Sequence, residues 1–270
     1  MTTTGMSTGI LRRAGRQWLW GYTLFFAVLL YLPSACIMLF SFNSGIHIKF
    51  PLDSFTFNWY RALAANDALL AAAGNSFRVG LVAAGAATII GVLGAFGLVR
   101  QKPPGGKAIT ALSVMPLLIP SIILGIALLV LLRTIGVGNS LTAITIGHVI
   151  FCTPLSVSIM MSRFVDLDRA LEEAALDLGA REVGTFLQIT LPLSASAIFS
   201  AFILCFLTSF DEFVIAFFLS GTKVTLPLYI WGQLRFPQKL PEILALGSCV
   251  LVGSLILVML GEVLRRKRTV

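Results

Sequence analysis

The sequence predicts an all-α, polytopic membrane protein: six transmembrane helices, with a short cytoplasmic helix on the loop between the fourth and the fifth. Three observations carry that expectation. Only 12% of the residues are charged while 57% are hydrophobic, which is about half the charge of a soluble domain. Six apolar runs each exceed the roughly 18 residues that read as a bilayer span. The basic residues are distributed unevenly about those runs, as the positive-inside rule expects.

The runs cover 18–41, 77–99, 108–132, 141–161, 195–219 and 243–264. The first follows Arg12, Arg13 and Arg16 and contains "PSAC" at 33–36, faintly like a lipoprotein cleavage site. Its apolar core is too long for a secretory signal, whose core is about 7–15 residues, so the run is a retained span. In the second, Ala83, Ala87, Gly91 and Ala95 recur every four residues, a small-residue stripe that lets another helix approach closely. The fourth holds His148, expected to make an interhelical hydrogen bond. Cys36, Cys152, Cys205 and Cys249 all fall inside spans without metal-ligand spacing, so each reads as small apolar filler. No metal site is expected.

Six spans place both termini on one side. With that side cytoplasmic, the inner segments are the N-terminus 1–17, the turn 100–107, the loop 162–194 and the tail 265–270. They carry 3, 3, 3 and 4 basic residues, 13 of the 20 in the chain. The net charge of +8 is therefore a topology signal; the "RRKR" tail is a cytoplasmic anchor rather than a nucleic-acid site. Two outer segments, 42–76 and 220–242, mix polar and aromatic residues. They suit either the membrane interface or a soluble partner.

The loop 162–194 stands out. Asp168 is an expected N-cap, with Glu172 and Glu173 near the positive end of a helix dipole. Leu167, Leu171, Ala174 and Leu178 form one apolar stripe, while Arg169, Glu173 and Asp177 share another face. Gly179 sits where a helix stops. A helix of about three turns does not persist alone in water, so it must pack against something. The acidic polar face and the lack of Trp and Phe disfavour a lipid surface; docking into a partner's groove fits better. The piece "REVGTFLQITLP" predicts a second short helix leading into the fifth span, with Pro192 near the start of that span.

"EAALDLG", followed by nine residues, Ile189, one residue and Leu191-Pro192, resembles the EAA signature of permease subunits of ATP-binding-cassette importers. Glu173, Ala174, Ala175, Gly179, Ile189, Leu191 and Pro192 fill each fixed position, and Glu172 and Asp177 lie within the same helix. The resemblance implies that this helix couples to a cytoplasmic ATPase dimer, with Glu173 and Gly179 most important for docking. It also implies a second permease subunit, a paralogue or a copy, and a periplasmic substrate-binding protein. The chain itself would bind no cofactor; ATP and Mg would sit on the ATPase. "SFDEFVIAFFLSG" at 209–221 and "TLPLYIWGQLRF" at 225–236 look like the second permease subunit of spermidine/putrescine-type importers. Importers of opines, amino acids and other small organic solutes share similar stretches.

Asp211-Glu212 is the adjacent acidic pair inside a predicted span, where a carboxylate costs about 2.5–3.5 kcal/mol on the mild insertion scale. On a continuous fifth helix, Ala201, Cys205, Thr208, Glu212 and Ala216 form a small, polar stripe beside a Phe206, Phe210, Phe213 and Phe217 face. Asp211 lies about 24 Å from Ala195 along such a helix, in the outer half of the membrane. Thr208, Ser209, Asp211, Glu212 and Phe213, with Trp231 from the following segment, are the candidate substrate pathway, holding ammonium groups by charge and cation–π contact. The alternative is a structural pair with a basic residue such as Arg235 or an arginine of the partner permease.

No enzymatic constellation is present. "PPGGKA" at 103–108 fails as a phosphate loop because Gln101 stands where Gly is needed and Ala108 replaces Ser/Thr. The competing reading, a cation-coupled secondary transporter, wants Gly/Pro-broken spans in two related halves, and no convincing internal repeat is seen. A purely structural scaffold would leave the acidic pair unexplained.

Overall fold

The computed structural model describes residues 5–267, with side chains described from Trp18 onward except Leu257 and those from Leu260 on. The basic residues expected to anchor the two ends, Arg12, Arg13, Arg16, Arg265, Arg266, Lys267 and Arg268, therefore lie outside the described side chains. The described chain is helical and divides into two compact units, residues 1–65 with 236–252 and residues 66–235 with 253–270.

In the first unit, α1 (Gly5–Phe40) carries the first span over Trp18–Phe40. The chain after it folds back on itself. Trp59 Nε1 donates to the Asn43 carbonyl at 2.8 Å, the Asp53 amide donates to Asn43 Oδ1 at 2.9 Å, and Ser41 Oγ lies 2.7 Å from the Tyr60 hydroxyl. Phe42 packs on Tyr60 of α2 (Asn58–Ala64) at a centroid distance of 5.3 Å.

The second unit is built on α3 (Asp67–Phe96), which begins ten residues before its apolar run because Asn66 caps it, accepting from the Leu69 amide at 3.0 Å. Such a cap contributes about 1 kcal/mol. The helix ends in a five-residue π-turn, Gly97–Gln101. Its small-residue stripe works as expected: Ala83, Ala87 and Ala95 are fully buried, and Gly91 lies directly against Ser156.

The third run does not cross straight. The helix α4 (Gly106–Val114) and its short continuation stop at Leu117, and α5 (Ser121–Thr134) leaves at 102° to them. Pro116 and Pro120 are the cause, since each removes an amide donor and Pro120 disfavours helical backbone at the residue before it. Next, α6 (Leu141–Asp166) starts at a Ser140 cap and packs along α3. His148 Nδ1 lies 2.7 Å from Ser209 Oγ, the interhelical bond expected of it. Cys152 and Cys205 are buried free thiols, each 3.5 Å from the other's carbonyl oxygen.

The loop helix is α7 (Ala170–Asp177), followed by α8 (Glu182–Thr185), a second π-turn at Phe186–Thr190, and α9 (Leu191–Leu193). The fifth run departs most from expectation. The 70° bend at Ser194 lies just ahead of it, between Glu182–Leu193, where the sequence predicts a separate short helix, and α10 (Ala195–Asp211). The run itself breaks at Glu212, whose backbone is extended, before α11 (Val214–Leu219). Pro192 thus lies in the approach to the bend rather than opening the long helix. The continuous polar and aromatic faces expected across 201–217 do not exist, because Ala216 and Phe217 belong to a separate helix.

A short α12 (Leu226–Gln233) is tied to α3 by Asn66 Nδ2 to Tyr229 Oη (3.0 Å), Asn75 Nδ2 to the Val224 carbonyl (3.0 Å) and the Leu226 amide to Ser76 Oγ (2.8 Å). The final helix is α13 (Leu240–Lys267). Among the described residues four helices are long and apolar enough to cross a membrane, and there are up to six spans if each of the two bent pairs is one. The core of the second unit joins Leu124, Leu128 and Leu132 of α5 to Ile144 of α6 and Ile215 and Leu219 of α11.

Candidate functional site

Two places bring functional residues together. The first is the loop between the fourth and fifth spans. Asp168 is not the N-cap expected of it: that position is Arg169, and Asp168, one residue ahead, accepts from the Ala170 amide at 2.9 Å. The helix is shorter than the expected three turns, ending at Asp177. Its C-terminus is a Schellman turn: Gly179 has φ +89°, its amide donates to Leu176 (2.9 Å), and the Ala180 amide donates to Ala175 (3.0 Å). Only glycine takes that backbone without strain.

The expected apolar stripe is turned outward. Of its residues Leu171 and Leu178 are exposed, Leu178 by 90%, and Leu167 is buried ahead of the helix; Leu176, outside that stripe, is exposed too. What the helix buries is a carboxylate. Glu172 is 8% exposed; its Oε2 pairs with Arg100 Nε at 2.9 Å and its Oε1 accepts from Thr190 Oγ1 at 2.8 Å. Arg100 Nη2 also donates to the Leu167 carbonyl at 3.1 Å. With side chains only 12% and 11% exposed, the pair is desolvated, and losing one partner would cost about 3–5 kcal/mol. Glu173, in contrast, is exposed and pairs with Arg169 one turn away at 3.0 Å, an interaction of a few tenths of a kcal/mol.

Ala174, Asp177, Gly179 and Pro192 are exposed as well, while Ala175, Ile189 and Leu191 are half-buried. Leu191 packs on Val92, Met160 and Phe164. The signature residues thus split into an outward surface and an inward anchor. The anchor's central residue, Glu172, pairs with an arginine from another span, which spacing within the motif does not reveal.

The second place is the break at 211–213. Asp211 is the last residue of α10, exposed, with no ion pair or hydrogen bond to any described residue. Glu212 turns the other way: its Oε1 accepts from the amides of Val214 (2.9 Å) and Ile215 (3.0 Å). It therefore caps α11, where a carboxylate meets the positive end of the helix. Neither acid pairs with Arg235. Phe213 packs on Trp231 at a centroid distance of 5.5 Å and on Phe217 at 5.8 Å. Of the expected pathway residues, Phe213 and Trp231 do meet. Ser209 is buried against His148, and Thr208 is half-buried on α10.

Residues 87–270 match the family described as the binding-protein-dependent transport system inner membrane component. The chain belongs to that family. It is accordingly a transport permease and a multi-pass inner-membrane protein. Over 242 residues it is 35% identical to the spermidine/putrescine transport system permease protein PotC of Haemophilus influenzae, covering 88% of this chain and 92% of the relative. Over 230 residues it is 36% identical to the putrescine transport system permease protein PotI of Escherichia coli K12, covering 82% and 81%. Among solved structures, a bacterial ABC transporter that imports the acidic polysaccharide alginate shares the fold, with a TM-score of 0.71 at 18% identity over 99% of both chains.

Proposed function

We propose that this permease forms half of the translocation pathway of an ATP-driven polyamine importer. The observation that carries the substrate class is the pairing of relatives that are spermidine and putrescine permeases with an unpaired carboxylate, Asp211, at a break in a spanning helix. A carboxylate there is costly unless it meets a cation, and a polyamine brings several. The C-terminal end of α10 adds its negative dipole to the same side, and Phe213 and Trp231 offer ring faces near the break.

The second half of the proposal concerns the motor. The outward surface of α7, with Glu173, Ala174, Gly179 and the exposed leucines, docks into a groove on a cytoplasmic ATPase dimer that holds ATP and Mg. A periplasmic binding protein delivers the substrate, and a paralogous permease supplies the other half of the pathway. Both termini are then cytoplasmic, in line with the 13 basic residues assigned to that side.

Proteoliposomes holding the permeases, ATPase and binding protein test this directly. Labelled spermidine or putrescine uptake is expected to require ATP and to survive a protonophore. Uptake that collapses with the protonophore would replace the proposal by cation coupling. Uptake of amino acids in place of polyamines would overturn the substrate class.

Asp211→Asn with Glu212→Gln is expected to raise the substrate concentration for half-maximal uptake about tenfold, since a hydrogen bond to a charged group contributes about 1.5–3 kcal/mol and 1.4 kcal/mol is a factor of ten. Glu212→Gln alone should change it little, because the amide oxygen still caps α11. Equal shifts from both single variants would mean that Glu212 also faces the substrate.

A further inference from the structure

The buried face of α7 raises a separate question. The helix touches its own bundle through a charge rather than through leucines. We propose that Arg100, Glu172 and Thr190 form the tie by which motion of α7 reaches the spans, with Glu172 as the positioning residue. This rests on reading α7 as the coupling helix.

One carboxylate joins three elements. Arg100 comes from the π-turn ending the second span, and Thr190 from the π-turn leading into the fifth. Through Arg100, the Leu167 carbonyl ties in the end of the fourth. π-turns are rare and concentrate at functional positions; here both carry a partner of the same side chain. A buried ion pair is a poor source of net stability but a good way to fix one geometry against alternatives. The Thr190 hydroxyl gives Glu172 a directional hydrogen bond at 2.8 Å, and the Arg100 charge held 2.9 Å from its other oxygen resists separation more than leucine packing does. A cavity of about 170 Å³ borders the pair, lined by Phe96, Arg100, Glu172, Leu176, Phe186 and Thr190, so the tie can swing without a clash.

The complete transporter in proteoliposomes, assayed for ATP hydrolysed and polyamine transported, separates coupling from assembly. Glu172→Gln and Arg100→Gln are expected to keep the ATPase subunit through purification and to keep hydrolysing ATP. Transport per ATP should fall at least tenfold. The exchanged pair, Arg100→Glu with Glu172→Arg, should recover at least threefold over the worse single variant. Thr190→Val, which preserves shape, should lower transport per ATP two- to threefold.

Wild-type transport per ATP in Glu172→Gln would overturn the tie. So would a loss of ATPase binding that accounts for the whole loss of transport, and in a variant too unstable to purify the decision falls to Thr190→Val. The underlying reading has its own check: a Gly179→Asp transporter that still binds its ATPase and transports normally removes the coupling helix itself, whatever Glu172 does.

Discussion

The Gly179→Asp variant is expected to reach the membrane at near-normal levels while losing more than nine-tenths of ATP-driven uptake. The two halves of that result have different causes. Gly179 sits at φ +89°, and a Cβ placed there meets no heavy atom of the chain within 4 Å. The folding cost is therefore conformational, about 1 kcal/mol for an L-residue held in the left-handed region, and Asp is among the side chains that accept it best. The functional cost comes from what lies outside. The new carboxylate would stand beside Leu178 in an exposed stretch that also holds Glu173 and Asp177, and on the proposed docking surface it adds a charge and bulk that the ATPase would have to accommodate. Gly179→Asn keeps nearly the same shape and backbone without the charge. It should lose less uptake, which separates bulk from charge. Immunoblots of membranes against initial uptake rates give both numbers. Normal uptake at normal abundance would remove this surface from the docking interface.

Local chemistry made Gly179 legible. A helix that stops on glycine needs only its own four or five residues to do so, and the Schellman turn uses the carbonyls of Ala175 and Leu176. The same holds for the stripe of Ala83, Ala87, Gly91 and Ala95. In each case the spacing alone dictates what must happen. The face of α7 was not legible in that way. An amphipathic pattern says that two faces differ, but which one is buried depends on what the neighbours offer. Here the neighbour is Arg100, and a buried arginine selects a carboxylate over a leucine because its own charge must be met.

Breaks within apolar runs were harder still. Apolar residues flank 211–213 on both sides, so composition draws one continuous span over 195–219 where the backbone makes two helices. For the third span a signal was present: Pro116 and Pro120 mark the turn that bends it by 102°. For the fifth, the signal is the acidic pair itself. Glu212 lies two and three residues before the amides it accepts from, as a capping side chain does. Read as a cap instead of as one member of a pair, it would have placed the start of α11 and set Asp211 apart as the carboxylate left without a partner.

Gly91→Val should do more damage than any other single substitution considered for the bundle, and it should act on folding alone. At Gly91, α3 lies directly against Ser156 of α6. A Cβ built there falls on the Ser156 side chain, 2.6 Å from its Cβ, and 2.9 Å from the Ser156 carbonyl carbon. The hydroxyl can rotate away, but the backbone carbon cannot, so the two helices must part. Parting them loosens the buried contacts of Ala87 and Ala95 one turn to either side. Overpacking typically costs about 1–3 kcal/mol; a clash with backbone belongs at the upper end or beyond, which is about a hundredfold or more in the folding equilibrium constant. Gly85→Ala and Gly94→Ala are the controls, since a Cβ at either position meets no atom within 4 Å. Both should purify in mild detergent like the parent chain, while Gly91→Val yields at least tenfold less monodisperse protein. Gly91→Ala with Ser156→Gly should recover part of that loss, because it removes the side-chain clash and leaves only the backbone contact. Full tolerance of Gly91→Val would mean that α3 and α6 do not pack at this distance in the membrane.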